Sequence, residues 1–494
     1  MSTGVSINVL AFDAGGGSTR IQQIGFTGKK LFLKQLARFD NGPITVGDTL
    51  HWDILGIYRD LKNGIQIASK QGTEISSLGI DTWGNDFVLL DKSQSMLENP
   101  YSYRDKRTIG CVEQVNQRIG GRELFSRNGI QQVRMNTLYQ LFSLAKSRPH
   151  MLEIADRLLF IPELLAWFLT GELHNEYTMA TISQLYSYEA ADWDYPLMSE
   201  LGVPGRLFSP VVMPGADIGC LLPSVCNDLG IEPMKLIAVG SHDTASAVAA
   251  VPAPEGSPLY ISSGTWSIVG TETETPVINS QSYEFNCANE GGVNGKIRLL
   301  KNVMGLWIMQ EVQRRFAIEG RDYTFEELGQ LAAASKPFGA VIDPDDGSFY
   351  EPVDMPDMIR EYCRETGQPI PPDDGSLVRT VLESLAFKYR FVIEGLERLT
   401  RRTYDSIHII GGGAANKLLC TFTANCCNKT VLAGPAEATA LGNGLVQLVS
   451  LGEIANYDQA RALVKSSLPQ TEYPPQDTEQ WEEQYHRFLT TTGL

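Results

Sequence analysis

Cysteine is scarce in this chain, and its spacing excludes two common uses of the residue. The 494 residues contain eight cysteines and no C-x-x-C pair. This number is too small for a disulfide scaffold, and the spacing fits neither a zinc site nor a redox motif. The sequence therefore predicts free thiols, mostly buried, and the adjacent Cys426 and Cys427 are expected to be core thiols in a reducing compartment. The cysteines are at positions 111, 220, 226, 287, 363, 420, 426 and 427.

Long apolar runs are also missing. The first 16 residues contain neither Lys nor Arg and only a short apolar segment, which is unlike a secretory signal. The most apolar stretch, residues 158–169, contains Pro162 and Glu163 and is shorter than the ~20 residues that a membrane-spanning helix needs. These features predict a cytoplasmic protein that does not cross a membrane.

Positive charge is in deficit. Lys and Arg number 41 against 58 Asp and Glu, so the net charge is −17, and the basic residues do not cluster. This balance opposes a broad surface for nucleic acid or for an anionic membrane. An anionic substrate would have to be held by local backbone donors, a metal ion or a few selected cations.

Several catalytic motifs are absent. The chain has no G-x-x-x-x-G-K-[ST] phosphate loop and no G-x-S-x-G nucleophile elbow, and its six His are too scattered to form a metal triad. Composition is otherwise ordinary, with 43% hydrophobic and 20% charged residues. Length and composition together predict a compact protein of two to four domains.

Hydrophobic periodicity predicts an α/β protein. Apolar strand patterns alternate with helical patterns, which favours a sheet packed on helices. In the first half, strands are expected at residues 7–12, 21–26, 31–39, 77–80, 87–90 and 236–239, a helix from an Asp53 N-cap to Gly72, and further helices at 137–146 and 152–169.

The segment VPAPEGSP, residues 251–258, is rich in Pro, Gly and small residues and is predicted to be a linker. After it the opening order of strand, small-residue turn and strand returns, which suggests two related lobes. We expect lobes at residues 1–250 and 259–454, followed by a helical tail at 455–494. In the second lobe, strands are expected at 259–262, 267–270 and 406–410, and helices from Gly305, at 376–401 and through Cys426.

The first candidate site is the turn from Asp13 to Arg20, which contains Gly15, Gly16 and Gly17 followed by Ser18 and Thr19. Glycines let a backbone approach an oxyanion closely, and the two hydroxyls add donors. Asp13 ends its strand, where α/β sheets place ligands. The alternative is a hairpin turn that uses glycine for positive φ angles.

The second candidate is the pair His242 and Asp243, just after a predicted strand. A carboxylate there can accept a proton from a substrate hydroxyl, and the neighbouring His can hold another hydroxyl. Asp243 is also a suitable N-cap for the helix that follows. The two roles are compatible, and both remain open at this point.

Three further turns end predicted strands. In the first, Asp81 to Gly84, Trp83 can cover an apolar sugar face, or it can be a core side chain. The segment SSGTW at residues 262–266 and the glycines at 411–413 can offer backbone donors to a nucleotide, or they can be plain turns. Taken together, the turns suit a phosphate donor and a polyhydroxylated acceptor.

A series of ordered segments resembles the motifs of the FGGY carbohydrate kinases. They are D-x-G-x-x-S-x-R at 13–20, GIDTWGNDFVLLD at 79–91, YRDKRT at 103–108, GSHDTASAV at 240–248, YISSGTW at 260–266, NVMGLWIMQE at 302–311 and GGGAANKLL at 411–419. The resemblance extends from about residue 7 to 450. GIDTWG, SHDTASAV and NVMGLW are most similar to the rhamnulokinase members of the family.

The resemblance implies two ribonuclease-H-like lobes around a central cleft, as in actin, Hsp70 and sugar-kinase ATPases. It implies Mg²⁺-dependent transfer of the ATP γ-phosphate to the 1-hydroxyl of L-rhamnulose, so a small-molecule ketose and ATP are the expected partners. Asp243 is then the catalytic base. The other implied roles are sugar contacts by Gly84, His242, Asp243, Thr244 and Asn302, ATP contacts by Gly16, Gly17, Ser18, Thr19, Arg20, Thr265, Gln310 and Gly412, and an approach to Mg²⁺ by Asp13, through water.

One residue departs from the family pattern. Rhamnulokinase-like loops usually carry a hydroxyl where this chain has Gly17, so the ATP phosphates are expected to have one donor fewer. Two alternatives follow from the same residues: a kinase for another ketose or polyol such as L-fuculose or L-xylulose, and a non-kinase ATPase of the same fold.

Overall fold

The computed structural model describes residues 7–253, 256–350 and 352–494. The chain forms two compact units. Unit 1 contains residues up to Gly256, Glu272–Leu299 and Ala438–Leu468, and unit 2 contains Ser257–Thr271, Leu300–Glu437 and Pro469–Leu494. The predicted linker at 251–258 includes residues 254 and 255, which lie outside the described residues.

The strands are β1 Ile7–Ala14, β2 Ser18–Phe26, β3 Leu31–Asp40, β4 Pro43–Val46, β5 Thr49–Trp52, β6 Ser77–Thr82, β7 Phe87–Asp91, β8 Ala155–Phe160, β9 Asn175–Glu176, β10 Tyr186–Ser187, β11 Asp192–Trp193, β12 Val211–Val212, β13 Asp217–Cys220, β14 Lys235–Ile237, β15 Leu259–Ser263, β16 Trp266–Thr273, β17 Ala288–Gly291, β18 Ile297–Met304, β19 Ser406–Ile410, β20 Thr430–Ala433 and β21 Thr471–Tyr473.

The helices are α1 Ile54–Ser69, α2 Cys111–Arg118, α3 Gly121–Asn128, α4 Thr137–Ser147, α5 Pro149–Ile154, α6 Ile161–Thr170, α7 Tyr177–Ile182, α8 Tyr195–Leu201, α9 Pro223–Leu229, α10 Asp243–Ala249, α11 Ser280–Phe285, α12 Trp307–Ile318, α13 Phe325–Ala334, α14 Met355–Glu365, α15 Asp374–Thr400, α16 Lys417–Cys427, α17 Ala438–Ser450, α18 Tyr457–Ser467 and α19 Thr478–Thr492. Short 3₁₀ turns lie at Lys106–Thr108, Gly205–Leu207, Gly347–Phe349 and Gly412–Ala415.

Unit 1 is built on a sheet in strand order β13-β14-β6-β1-β2-β3. The central strand β1 pairs antiparallel with β2 and parallel with β6. Alternate residues of a strand point to opposite faces. Leu10 and Phe12 of β1 therefore join the core that α1 covers, whereas the other face of the sheet meets α17. Helix α1 begins as predicted, because the Asp53 carboxylate accepts the Gly56 N–H at 3.0 Å.

A second apolar core of unit 1 is formed by side chains from the helices between residues 111 and 208 and from β7 and β8. Here the expected helix at 152–169 is wrong. The strand β8 interrupts it and pairs antiparallel with β7, and α6 starts only at Ile161. A continuous apolar run has no period, so burial on both sides makes strand and helix indistinguishable in the sequence.

Unit 2 contains strands in the order β16-β15-β19-β20-β21, and the part of β18 from Leu300 onward also belongs to it, whereas Ile297–Leu299 of β18 belong to unit 1. Strands β15 and β16 form an antiparallel hairpin, and β15, β19 and β20 run parallel. The long helix α15 is buried along most of its length. Phe387 of α15 packs on Trp481 and Phe488 of α19, with ring centroids 5.2 and 5.4 Å apart.

The two units differ from the lobe boundaries expected from the sequence. Helix α17 packs on β1, β6 and α10, so residues 438–468 belong to unit 1 although they come late in the chain. The expected helical tail at 455–494 is divided: α18 belongs to unit 1, and β21 and α19 belong to unit 2.

All eight cysteines are free thiols, as predicted, and all but Cys220 and Cys427 are buried. Across the described ranges, no helix combines the length and the apolar composition that crossing a membrane requires.

Candidate active site

Three carboxylates, those of Asp13, Asp81 and Asp243, lie near the carboxyl ends of the central strands of unit 1. Asp13 of β1 and Asp81 of β6 are parallel register partners, and both are buried. The Asn443 side-chain amide donates to Asp81 Oδ2 at 2.6 Å. Burial, and then the charges of Asp13 and Asp243, raise the pKa of Asp81 well above its usual value in spite of that bond. The edge therefore concentrates acidic oxygens at the place where α/β sheets bind ligands.

The turn between β1 and β2 is tied down by backbone hydrogen bonds. The Gly15 N–H donates to the Ser18 carbonyl at 2.9 Å, and the backbone and side chain of Asn41 donate to the carbonyls of Gly17 and Gly15 at 3.3 and 2.8 Å. Gly15, Gly16 and Gly17 are not in the left-handed region of φ. The interpretation that these glycines supply positive φ angles is therefore wrong.

The turn nevertheless exposes its backbone. Gly16 and Gly17 are exposed, whereas Ser18 and Thr19, which begin β2, are buried. A Cβ placed at Gly17 meets no atom within 4 Å. Arg20 Nη1 lies 3.7 Å from Asp13 Oδ2 across the hairpin, so the guanidinium offsets part of the charge at this edge.

His242 and Asp243 lie where β14 leads into α10, and Asp243 is the first residue of that helix. The expected N-cap role of Asp243 is wrong, because His242 occupies the N-cap position and Asp243 lies inside the helix. Instead Oδ1 accepts the Thr244 hydroxyl at 3.1 Å and lies 3.5 Å from His242 Nε2. With 30% of its side chain exposed, Asp243 is open to a ligand.

His242 is held by residues that the sequence analysis did not find. Arg298 of β18 is fully buried, and its Nη2 lies 3.2 Å from His242 Nδ1 and 3.1 Å from Glu290 Oε2. Burial raises the pKa of Glu290, but the opposing interactions, of which the charge of Arg298 is the largest, outweigh it, and the net shift is downward. These residues are far from His242 in sequence and carry no motif, so only the folded chain brings them together.

Two further buried carboxylates, Glu176 and Glu163, hold the backbone at His242 through a series of hydrogen bonds. The His242 backbone N–H donates to the Thr178 hydroxyl at 3.0 Å, and that hydroxyl donates to Glu176 at 2.5 Å. The Glu176 N–H in turn donates to Glu163 at 2.6 Å. Burial raises the pKa of Glu176 to about 7 and that of Glu163 to about 8. The chain of bonds fixes the backbone that carries the candidate base.

Gly84 lies beside His242, as a shared sugar-binding role requires. A Cβ at Gly84 would lie 3.5 Å from His242 Nε2 and 2.3 Å from Ile182 Cδ1, so a larger residue would have to displace the end of the Ile182 side chain. The neighbouring segments are joined by the Thr82 N–H, which donates to the Ser241 carbonyl at 2.9 Å. The structure thus brings Gly84, His242, Asp243 and Thr244 together.

Trp83 is a core residue rather than an exposed platform. It is 5% exposed and packs on Trp52 with ring centroids 4.0 Å apart. Both indole N–H groups donate to Asp86 Oδ2, at 2.9 Å from Trp83 and 2.7 Å from Trp52. Burial raises the pKa of Asp86 to about 6 in spite of these donors. The alternative of a core tryptophan is therefore confirmed, and the sugar platform is wrong.

In unit 2 the predicted nucleotide contacts form two groups. Thr265, in the turn between β15 and β16, donates its hydroxyl to Gln310 Oε1 of α12 at 3.4 Å, and its carbonyl accepts the Trp307 N–H at 3.1 Å. Gly412 is exposed at the end of β19. Its neighbour Gly413 packs so closely on Ser263 that a Cβ would lie 2.0 Å from Ser263 Oγ. The turns after β15 and β19 are therefore adjacent.

Asn302, the remaining predicted sugar contact, lies on β18 in unit 2 and is partly buried.

Family models match nearly the whole chain. The N-terminal domain of the FGGY family of carbohydrate kinases matches residues 8–250, and the C-terminal domain of that family matches residues 259–451. A rhamnulokinase of Bacteroides thetaiotaomicron is 42% identical over 481 residues, covering 97% of this chain and 98% of its own. A rhamnulokinase of Oceanobacillus iheyensis is 40% identical over 458 residues, covering 93% of this chain and 96% of its own.

Solved structures share the fold at low sequence identity. A gluconate kinase of Lactobacillus acidophilus matches with a TM-score of 0.79 at 16% identity, over 98% of this chain and 97% of its own. A Plasmodium falciparum glycerol kinase, solved with ADP, matches with a TM-score of 0.77 at 14% identity, over 99% of this chain and 98% of its own.

Proposed function

Because this chain belongs to the FGGY family of carbohydrate kinases, we propose that its reaction is transfer of the ATP γ-phosphate to the 1-hydroxyl of L-rhamnulose, giving L-rhamnulose 1-phosphate. The rhamnulokinases that are about 40% identical over almost the full length support this sugar. The observation that carries the chemistry is Asp243, a part-exposed carboxylate with a His beside it.

On the acceptor side, Asp243 is the base. Thr244 and His242 engage its Oδ1, which leaves Oδ2 to take the proton of the sugar hydroxyl as the new O–P bond forms. His242 and Gly84 hold other hydroxyls of the ketose, and Asn302 is proposed as a further sugar contact. A stereoisomer with one hydroxyl in a different orientation would leave a buried polar group of the site without its hydrogen bond. The site rejects stereoisomers in this way.

On the donor side, the exposed backbone of Gly16 and Gly17 approaches the phosphates. Ser18, Thr19 and Arg20 follow at the start of β2 and are proposed to supply hydroxyl and cationic groups. In unit 2, Thr265, Gln310 and Gly412 are proposed as contacts of the nucleotide. Phosphoryl transfer needs little covalent work from the protein, so these residues act by positioning and by stabilising charge.

Mg²⁺ fits the donor set at the carboxyl edge. Among the described residues, no group of three or more His, Cys, Asp or Glu side chains is arranged to hold a metal ion. Mg²⁺ rarely uses such a cage, since it keeps several waters and binds through one or two carboxylates and the substrate phosphates. Asp13, buried beside Asp81, would hold it through water. When bound, the ion neutralises phosphate charge, which a chain of net charge −17 otherwise repels.

A panel of sugars tests the proposal. ADP release is followed with L-rhamnulose, L-fuculose and L-xylulose at equal concentrations, and the product is located by phosphorus-coupled NMR. We expect the highest kcat/KM with L-rhamnulose and phosphate on the 1-hydroxyl. A faster reaction with another sugar would reassign the substrate, and ATP hydrolysis that no sugar stimulates would contradict the transferase assignment.

A further inference from the structure

A fully buried arginine faces the imidazole ring of His242. Arg298, on β18, is 0% exposed, and its Nε donates to the Gly291 carbonyl at 3.0 Å. Its Nη2 lies 3.2 Å from His242 Nδ1. A guanidinium carries only donors and stays charged in proteins, so a hydrogen bond at this distance requires a lone pair on Nδ1.

The carboxylate of Glu290, on β17, balances the arginine. Its Oε2 lies 3.1 Å from Arg298 Nη2 and 3.5 Å from His242 Nδ1. Glu290 is 6% exposed. A buried guanidinium without a counter-charge is costly, so this carboxylate is what allows the arginine to sit against the ring.

The arrangement decides which ring nitrogen carries the proton. If Nδ1 accepts from Arg298, the neutral ring is protonated on Nε2, which lies 3.5 Å from Asp243 Oδ1. That oxygen also accepts the Thr244 hydroxyl at 3.1 Å. The Thr244 hydroxyl donates to Oδ1 and the Nε2–H side of the ring faces the same oxygen, so the two groups hold the carboxylate in one orientation and leave Oδ2 free to meet the acceptor hydroxyl.

We propose that Arg298 and Glu290 are a positioning pair that fixes the His242 ring as the Nε2–H form and thereby aims the Asp243 carboxylate at the sugar hydroxyl. The kinetic part of this inference rests on the proposed function, whereas the ring state is a property of the protein alone. Neither residue needs to touch the sugar.

The first test measures the ring in the wild-type protein without substrates. Nitrogen-15 NMR of histidine-labelled protein distinguishes the tautomers, and comparison with His242→Asn identifies the signals of His242. We expect a neutral ring protonated on Nε2. A ring that carries a proton on Nδ1 overturns the proposal, and this readout needs no variant of the pair.

The second test uses Arg298→Lys, which keeps a positive charge but has a single nitrogen in place of the Nε that holds the Gly291 carbonyl and the Nη2 that reaches Glu290 and the ring. We expect His242 to shift toward the Nδ1–H form, donating to Glu290, and kcat with the ketose to fall about tenfold, while KM for ATP changes less than about twofold. A fall in kcat with an unchanged ring state overturns the proposal.

Arg461→Lys is the matched control. Arg461 is also buried and paired with a buried carboxylate, Glu272, at 2.8 Å, and its Nη2 donates to the Val248 carbonyl in α10 at 3.1 Å. Equal effects of the two substitutions on the ring and on kcat overturn the proposal, because they would mean that any buried arginine has this influence. If no ketose is phosphorylated but the ring states are as expected, the proposed function fails and the positioning geometry stands.

Discussion

Asp243 illustrates what decides the role of a single residue. Its sequence neighbours are compatible with an N-cap or with a base, and propensity cannot separate the two. In the folded chain the Thr244 hydroxyl donates to Oδ1, the His242 ring lies beside that oxygen, and His242 rather than Asp243 occupies the N-cap position. Side-chain rotamers depend on such neighbours, and His242 is itself held by residues more than 40 positions away.

Asp243→Asn removes the proposed base. Because general-base assistance is typically worth 10² to 10⁴ in rate, we expect kcat to fall by about that factor. The melting temperature should be close to that of the wild type, since the amide is nearly isosteric. Steady-state kinetics with the preferred ketose measures the change, and Asp228→Asn, at an exposed ion pair with Lys62, is the control. Wild-type turnover by Asp243→Asn would rule out the base assignment.

Glu163 predicts a pH dependence of stability. Its pKa is about 8 in the folded protein, against an ordinary value of 4.5. Between these values the folded state holds a proton that the unfolded state has lost, so the contribution of Glu163 to stability is present below about pH 4.5 and is lost as pH rises through about 8. Glu163→Gln should therefore show a smaller drop in melting temperature between about pH 5 and pH 8.

Calorimetry at the two pH values measures this difference. Glu163→Gln should also melt lower at about pH 5, because an amide cannot accept all of the donors from Phe160, Asn175 and Glu176. The exposed Glu172→Gln should keep the wild-type drop. An equal drop in wild type and Glu163→Gln would mean that Glu163 titrates normally.

At the scale of elements, the close packing of α10 on α17 fixes the position of α10 and therefore of Asp243 at its start. A Cβ at Gly442 of α17 would lie 1.7 Å from the Ser246 carbonyl oxygen of α10, so the helices meet at backbone contact. The small residues of both segments allow such packing. The strand β8 was not predicted, because its apolar residues fit a buried helix equally well.

Gly442→Ala should force the two helices apart. We expect a loss of about 1–3 kcal/mol in the free energy of unfolding, the usual cost of overpacking, together with a lower kcat because Asp243 begins α10. Gly329→Ala is the matched control: Gly329 lies within α13, and its Cβ would meet nothing within 4 Å. That variant should gain about 0.5–1 kcal/mol from helix propensity. Thermal unfolding of both variants measures the change in stability. A stabilised Gly442→Ala would contradict the packing argument.

At the scale of the whole molecule, net charge governs the approach of the nucleotide. A protein of charge −17 repels an anion at long range, and salt screens that repulsion. We expect kcat/KM for ATP to rise as KCl increases from about 20 to about 150 mM at saturating Mg²⁺, whereas KM for the neutral ketose stays constant. Initial-rate kinetics measures both. A fall in kcat/KM for ATP would show that local cations dominate the field.

Local sequence alone determined most of the strands and helices and the turns that end them, because period, glycine and capping residues act over a few positions. The ordered motifs also identified the carbohydrate kinase family. Tertiary structure decided what no local pattern contains: that Trp83 is buried against Trp52, that residues 438–468 return to unit 1, and that Arg298 and Glu290 meet His242. These contacts join residues far apart in the chain, and their energies exist only once the chain has folded and excluded water.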